Sequence, residues 1–275
     1  MRAERIRARV VGIVAIIATI VVFIIPFLFV VDQAAKTPAD AASLAFSWPT
    51  KWQFFENLVG VVQYNGGVIF QAFINSAVLT VFSVLITTVF AAMVGYVLQR
   101  KPSRWNPVIN FFVLAGLIVP PAVVPTIWVL QDLGIFQTML GMILIEATFG
   151  LSFNILLFRA FVATIPKELD EAAVLDGSGP IRMFFSVILP LLRPVLATVI
   201  VVQAVVVFND FAGPLYFLPG QPTVQLTLYQ FQGQALSFNN LLFMDILLIT
   251  IPPLVLYIFF NRQIVAGMTS GAVKG

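Results

Sequence analysis

Long apolar runs separated by short polar stretches set the pattern of this chain. Six runs reach or approach the length of a membrane-crossing helix: 10–31, 68–98, 108–130, 139–162, 195–218 and 241–261. A helix needs about 20 mostly apolar residues to cross the hydrocarbon core. The pattern therefore predicts an all-α, polytopic protein with six transmembrane helices, in a single transmembrane domain over residues 1–275. The second run is longer than a crossing requires, so part of it should tilt or project from the bilayer. Pro26, Pro120, Pro121, Pro125, Pro252 and Pro253 interrupt the runs. Membrane helices tolerate this where neighbouring helices satisfy the freed carbonyls. The first run follows Arg2, Arg5, Arg7 and Arg9, an arrangement shared with signal peptides. Its 22 apolar-run residues exceed the ~7–15 of a signal core, and no convincing small-residue cleavage site is present, so a retained span is expected.

The polar segments orient these runs. With the N-terminus inside, the inside segments are 1–9, 99–107, 163–194 and 262–275. Those segments and their immediate flanks hold thirteen of the fifteen Lys and Arg residues, leaving Lys36 and Lys51 outside. An excess of basic residues marks the cytoplasmic side. Both termini are thus expected in the cytoplasm, and an even number of spans is required to put them there.

Three connecting segments are long enough to carry more than a turn. The outer segment 32–67 holds Trp48, Pro49, Trp52, Phe54 and Phe55 among polar residues. It reads as an interfacial helix with aromatic anchors at the headgroups, or as a contact for a partner. The outer segment 219–240 opens with Pro219, Gly220 and Pro222, then alternates loosely through Val224, Leu226, Leu228 and Tyr229. It is rich in glutamine and serves either as a contact or as a long connection. In the inner segment 163–194, Pro166 can open a helix, and Glu168, Asp170 and Glu171 suit its first turn. Gly177 ends that helix, Gly179-Pro180 turns the chain, and an amphipathic run 181–189 leads to Pro190 and Pro194. A two-turn helix is not stable alone in water. It must dock on a cytoplasmic partner or pack on the ends of its own spans.

Composition sharpens this picture. Hydrophobic residues make up 60% of the chain and charged residues 10%, with a mean hydropathy of +1.01. A soluble domain carries roughly 45–50% apolar and about 25% charged residues. Cysteine and histidine are both absent, which excludes disulfides, thiolate or imidazole metal sites, a cysteine nucleophile and a histidine base. The net charge of +3 is too small to suggest nucleic-acid binding. A phosphate-cradling loop needs Lys followed by a hydroxyl residue after its glycines. Lys36-Thr37 supplies that pair without the glycines, so no ATPase site is expected on this chain.

The inner loop resembles the signature of the integral-membrane subunits of ABC importers. It reads Glu171-Ala172-Ala173, then Gly177, then Val187, then Leu189-Pro190, with Val where Ile is frequent. It lies between the fourth and fifth runs, where that family carries it. Phe208-Asn209-Asp210-Phe211 resembles the aromatic-Asn-acidic segment of carbohydrate-importer permeases. The tail from Arg262, with Gly267, Thr269, Ser270 and Lys274, looks like that of the second, maltose-transporter-type permease of the group.

The resemblance implies a type I ABC importer permease fold and a heteromeric importer in a prokaryotic cell membrane. Its partners would be a second permease, two ATP-binding subunits, an extracytoplasmic solute-binding protein, membrane lipid and a sugar. No cofactor would sit on this chain, since ATP and Mg would be held by the ATPase subunits. By resemblance, 166–177 would be a coupling helix seated on the ATPase, contacting it through Glu171, Ala172, Ala173, Asp176 and Gly177 and supported by Leu189 and Pro190. The tail would run along the ATPase dimer, and 219–240 would reach toward the binding protein.

Acids within spans are costly and usually functional. Glu146, Asp210 and Asp245 are of this kind, and each reads either as part of a path or as a helix-to-helix hydrogen bond. Sugars are held by neutral hydrogen-bonding groups and aromatic faces. Phe208, Asn209, Asp210, Asn75, Asn154 and Gln203 fit that need, although polar residues also hold membrane helices together. The rival class is an ion-coupled secondary transporter. It would show an internal repeat of broken helices, and none is evident.

Overall fold

The computed structural model describes the backbone of residues 2–233 and 235–272 and the side chains of 10–231 and 238–261. All regular elements among them are helical. The helices in chain order are α1 (Arg2–Thr19), α2 (Ile25–Ala34), α3 (Pro38–Ala42), α4 (Phe54–Gln63), α5 (Val68–Arg100), α6 (Asn106–Ile118), α7 (Val123–Asp132) and α8 (Met139–Val162). They are followed by α9 (Glu168–Leu175), α10 (Pro180–Met183), α11 (Leu189–Leu191), α12 (Arg193–Phe208), α13 (Ala212–Phe217), α14 (Val224–Gly233) and α15 (Ala235–Ala272).

Four of the six expected spans are long apolar helices: Val10–Ala34, Val68–Arg100, Met139–Val162 and Phe238–Asn261. The other two are broken. The third run is not one helix but α6 and α7, because Pro120 and Pro121 offer no N–H and force extended backbone on their neighbours. Val119 (ψ 120°) and Ala122 (ψ 90°) lie outside the helical region accordingly. The fifth run is also shorter than expected. α12 ends at Phe208, and with the segment Pro180–Leu191 before it forms a pair bent by 82°. Pro252 and Pro253, by contrast, lie inside α15.

Two prolines leave the same mark on the backbone. π-helical turns at Ile20–Ile24 and Phe184–Ile188 each end two residues before a proline, Pro26 and Pro190. The Ile25 and Leu189 amides donate five residues back, to the Ile20 and Phe184 carbonyls. A π turn absorbs the carbonyl clash and the missing donor that proline brings to a helix.

The residues form two compact units, Met1–Ala72 with Val224–Ile251, and Phe73–Thr223 with Pro252–Gly275. The first holds a polar knot in the outer segment. Lys36 is fully buried, pairs with Asp32 at 2.7 Å, and also donates to the Ala45 carbonyl. Gln33 donates to that same carbonyl at 2.7 Å, and Asn57 donates to the carbonyls of Ala34 and Lys36. Asn240 donates to Asn57 at 2.7 Å, tying α15 to α4. The segment is therefore not one interfacial helix but two short helices around this knot. Trp48 is 84% exposed and Phe55 76% exposed, as headgroup anchors would be. Between the helices, Asp40 accepts from the Thr50 hydroxyl at 2.6 Å and its amide at 3.0 Å, and these bonds hold the carboxyl below its ordinary value.

The 219–240 segment contains α14. Val224, Thr227 and Phe231 are buried at helical spacing, a period hidden by the looser alternation of the sequence. Thr227 donates to the buried Asp245 at 3.0 Å, so this intramembrane acid joins α14 to α15.

In the second unit α5 and α8 pack closely. A side chain at Gly95 would meet the backbone of Ile155 and Arg159 at 3.0 Å, so glycine permits the approach. Ser83 and Thr87 donate to the Ile143 and Ala147 carbonyls across the pair. Such hydroxyl bonds join helices where no hydrophobic force does. Arg159 on α8 donates to Gln99 at 3.2 Å and to Asn110 on α6 at 2.7 Å.

Candidate functional site

Two regions of the second unit gather the candidate residues. The first is the inner loop. Its helix α9 is two residues shorter at each end than 166–177, with Pro166 in the turn before it and Asp176 as its C-cap. Gly177 follows at φ +76°. The Ser178 amide donates to the Ala173 carbonyl and the Gly177 amide to the Val174 carbonyl, both at 3.0 Å. That pair of bonds is the Schellman closure, and it needs a left-handed residue where Gly177 stands.

One face of α9 is fastened to the rest of the unit. Asp170 accepts from the Tyr96 hydroxyl at 2.8 Å and pairs with Arg100 at 2.9 Å, both on α5. Arg100 also donates to the Ile165 carbonyl at 2.6 Å, just ahead of the helix. Ala173 is buried in a cluster with Tyr96, Met183, Phe184 and Ile188. Leu189 and Pro190 are half-buried in α11 at the end of the π turn, and Leu189 packs against that cluster. The opposite face is open. Glu171, Ala172 and Asp176 are exposed, and so are Val174 at 60%, Leu175 at 87% and Ile181 at 73%. Exposed apolar side chains rimmed by charge mark a surface that meets another protein. Of the two readings the sequence left open, packing on its own spans is seen on one face of the loop, and the other face is exposed among the described residues.

The second region is a cavity of about 640 Å³ between α8, α12 and α13. Three of the expected path residues line it: Gln203, Asn209 and Asp210. Asp210 accepts from the Ala212 amide at 3.1 Å and the Gly213 amide at 2.9 Å, which opens α13 and ends the fifth run. A side chain at Gly213 would strike the Asp210 carboxylate and Met142. Asn154 lies behind the wall, donating to the Gly150 carbonyl at 2.8 Å and to Gln203 Oε1 at 3.1 Å. Gly150 leaves the space that the Gln203 side chain occupies. Phe208 is buried and does not line the cavity, and Asn75 is elsewhere, donating to the Pro222 carbonyl at 2.8 Å.

The sequence did not place Glu146 at this site, although its position inside a span marked it. Glu146 is 4% exposed, lines the cavity and meets Asp210 side chain to side chain. Phe149, Phe153 and Tyr216 add aromatic faces. Phe149 and Phe153 follow Glu146 at i+3 and i+7 along one face of α8, but no sequence pattern ties α8 to residues 203–216. Of the tail candidates, Gly267, Thr269 and Ser270 fall where only the α15 backbone is described, and Lys274 lies outside the described residues.

Comparison with known proteins follows the same lines. The chain is 30% identical to the melibiose/raffinose/stachyose import permease protein MelC of Bacillus subtilis (strain 168), covering 100% of both chains. It is 31% identical to the diacetylchitobiose uptake system permease protein NgcG of Streptomyces coelicolor (strain ATCC BAA-471 / A3(2) / M145), covering 92% of this chain and 85% of that one. Its fold matches a chain in the crystal structure of a bacterial ABC transporter involved in the import of the acidic polysaccharide alginate. That match has a TM-score of 0.79 at 22% identity and covers 95% of this chain and 98% of the other. Residues 85–270, which include the inner loop and the cavity, match the family described as binding-protein-dependent transport system inner membrane component. This chain is a multi-pass membrane protein and belongs to that family of transport-system membrane components.

Proposed function

We propose that this chain is one of two permease subunits in an ATP-driven importer that carries a sugar across a prokaryotic plasma membrane. In this reading six spans cross the bilayer with both termini inside, α6 with α7 and the bent segment with α12 supplying the third and fifth. An extracytoplasmic binding protein delivers the sugar. Two ATPase subunits beneath the membrane supply the energy, since this chain has no phosphate-cradling loop of its own.

The observation that carries the reading is the two-faced α9. Asp170 and Ala173 fasten one face to α5 and its surroundings, while Val174, Leu175 and Ile181 offer an apolar surface edged by Glu171 and Asp176. A short helix built this way receives a push on its open face and passes it to α5 through the ion pair. Rigid-body motion of packed elements is how such switches transmit. Closure of the ATPases would draw the coupling helices together and turn the cavity outward. Hydrolysis would reset it. The relatives named as sugar import and uptake permeases support sugar as the cargo.

Affinity purification of the tagged chain in mild detergent tests the assembly. A second multi-span subunit and an ATPase with a phosphate-cradling loop should co-purify. Glu171→Ala and Gly177→Ala should insert normally and lower ATP-coupled uptake. Alanine at a left-handed position costs about 1–2 kcal/mol, enough to misplace the end of α9. A chain that purifies alone and transports without ATP, or full coupled uptake in both variants, would overturn the proposal in favour of an ion-coupled carrier.

A further inference from the structure

The first unit holds a cavity of its own, about 380 Å³ in volume. Leu28 and Val31 of α2 line it together with Phe46, Trp48 and Trp52, and Asp32 is the charged group among them. The Trp48 and Trp52 rings stand 6.2 Å apart at 53°. Asp32 uses its Oδ2 within the chain, accepting from Lys36 at 2.7 Å and from Gln33 at 3.3 Å. Its Oδ1 accepts no hydrogen bond among the described residues, and 13% of the side chain stays open. Aromatic faces beside a carboxylate suit an ammonium group, which is drawn to the rings and donates N–H bonds to the acid. Lys36 offsets the charge of Asp32 from the buried side, so the pair is neutral and a zwitterionic guest suits it better than a bare cation. Lys51, exposed next to Trp52, is the basic residue at hand for the negative half of such a guest. The remaining wall is apolar. Leu28 and Val31 stand one turn apart near the end of a span whose most apolar stretch buries nothing among the described residues.

From this lining we infer that the cavity holds a membrane phospholipid with an ammonium headgroup, of the phosphatidylethanolamine type. Its ammonium donates to Asp32 Oδ1 against the faces of Trp48 and Trp52, its phosphate meets Lys51, and one acyl chain runs along Leu28 and Val31. An anionic lipid without the ammonium leaves Oδ1 unmatched. General anchoring by tryptophan at headgroup level is a different matter, because it requires no particular headgroup. Asp32 also holds Lys36, so the bound lipid braces the polar knot of the outer segment. The inference needs only that the first span lies in a bilayer, and it does not depend on the cargo or on which side the termini face.

The test is photocrosslinking of the complete membrane complex in lipid nanodiscs. The probes, added in trace amounts, are phosphatidylethanolamine and phosphatidylglycerol with the same diazirine-bearing acyl chains, and adducts are mapped by peptide mass spectrometry. The ethanolamine probe should label residues 28–31 about tenfold more than the glycerol probe, the scale of one ammonium held by aromatic faces and a carboxylate. Residues 10–22, largely exposed along the same span, should take both probes equally and serve as the reference. Trp48→Leu keeps an apolar side chain at an exposed position and should abolish the headgroup preference at 28–31. Trp128→Leu, at an exposed tryptophan that does not line the cavity, should preserve it. Where Trp48→Leu fails to assemble, Trp52→Leu takes its place. Equal labelling by the two probes, a preference for phosphatidylglycerol, a preference unchanged in Trp48→Leu, or one lost equally in Trp128→Leu would each overturn the inference. Adducts at 10–22 with none at 28–31 would overturn it in favour of a protein segment that covers the cavity.

Discussion

Lys36 illustrates how one side chain's surroundings change its meaning. In the sequence it is one of two basic residues outside, a count that helps to orient the chain. In the structure it is wholly buried, bonded to Asp32 and to the Ala45 carbonyl, and hence part of what holds the outer segment together. Removing one partner of a buried pair leaves the other charge uncompensated, at a cost of about 3–5 kcal/mol. Replacing both by apolar residues of similar size is frequently neutral. Lys36→Met should therefore lower the melting temperature of the detergent-solubilised complex by several degrees, and adding Asp32→Leu should recover most of the loss. Equal melting temperatures for wild type and Lys36→Met would show that the pair contributes nothing. None of this was legible beforehand, because the charge of Lys36 is written in the sequence but its burial depends on α4, which is brought over it by Asn57.

At the scale of elements, hydropathy read the length of the apolar runs well and their continuity badly. It found Val68–Arg100 and Met139–Val162 nearly to the residue. It missed the break between α6 and α7, since Pro120-Pro121 changes backbone geometry without changing apolarity. The inner loop was the most legible part of the molecule. Gly177, the acids of the first turn and Pro180 are local signals, and the helix they delimit is there. Its fastening was not legible, because Asp170 meets Tyr96 and Arg100 from a distant helix. The same reason hid the pairing of Glu146 with Asp210. α9 has two turns and little stability of its own, so the Asp170 bonds should govern how frequently it opens. Loss of hydrogen bonds to a charged group costs about 1.5–3 kcal/mol, which raises an open population roughly tenfold or more. Asp170→Ala should accordingly be cut by trypsin at Lys167 about ten times faster than wild type in inside-out vesicles, with cleavage elsewhere unchanged. Equal rates at Lys167 would mean that apolar packing of Ala173 alone holds the helix.

At the scale of the whole molecule, basic residues are spread unevenly among the polar segments of this multi-pass membrane protein. The inside segments and their flanks carry thirteen of fifteen basic residues and include α9 with its open apolar face. The exposed aromatics Trp48 and Phe55 lie on a segment with two. If the basic bias sets orientation, the loop after α9 is cytoplasmic and the loop before α4 is not. The chain contains no cysteine, so single introduced thiols report their side without background. Ser178→Cys, beside the helix closure, should react with a membrane-impermeant maleimide in inside-out vesicles and stay unlabelled in right-side-out ones. Ser47→Cys, next to Trp48, should do the reverse. Both thiols reacting from one side would require an odd number of crossings between residues 47 and 178 to be replaced by an even one. In that case the broken α6–α7 pair would be the place to look, since two short helices divided at Pro120-Pro121 can enter and leave a bilayer on the same side, whereas α5 and α8 are each long enough to cross it.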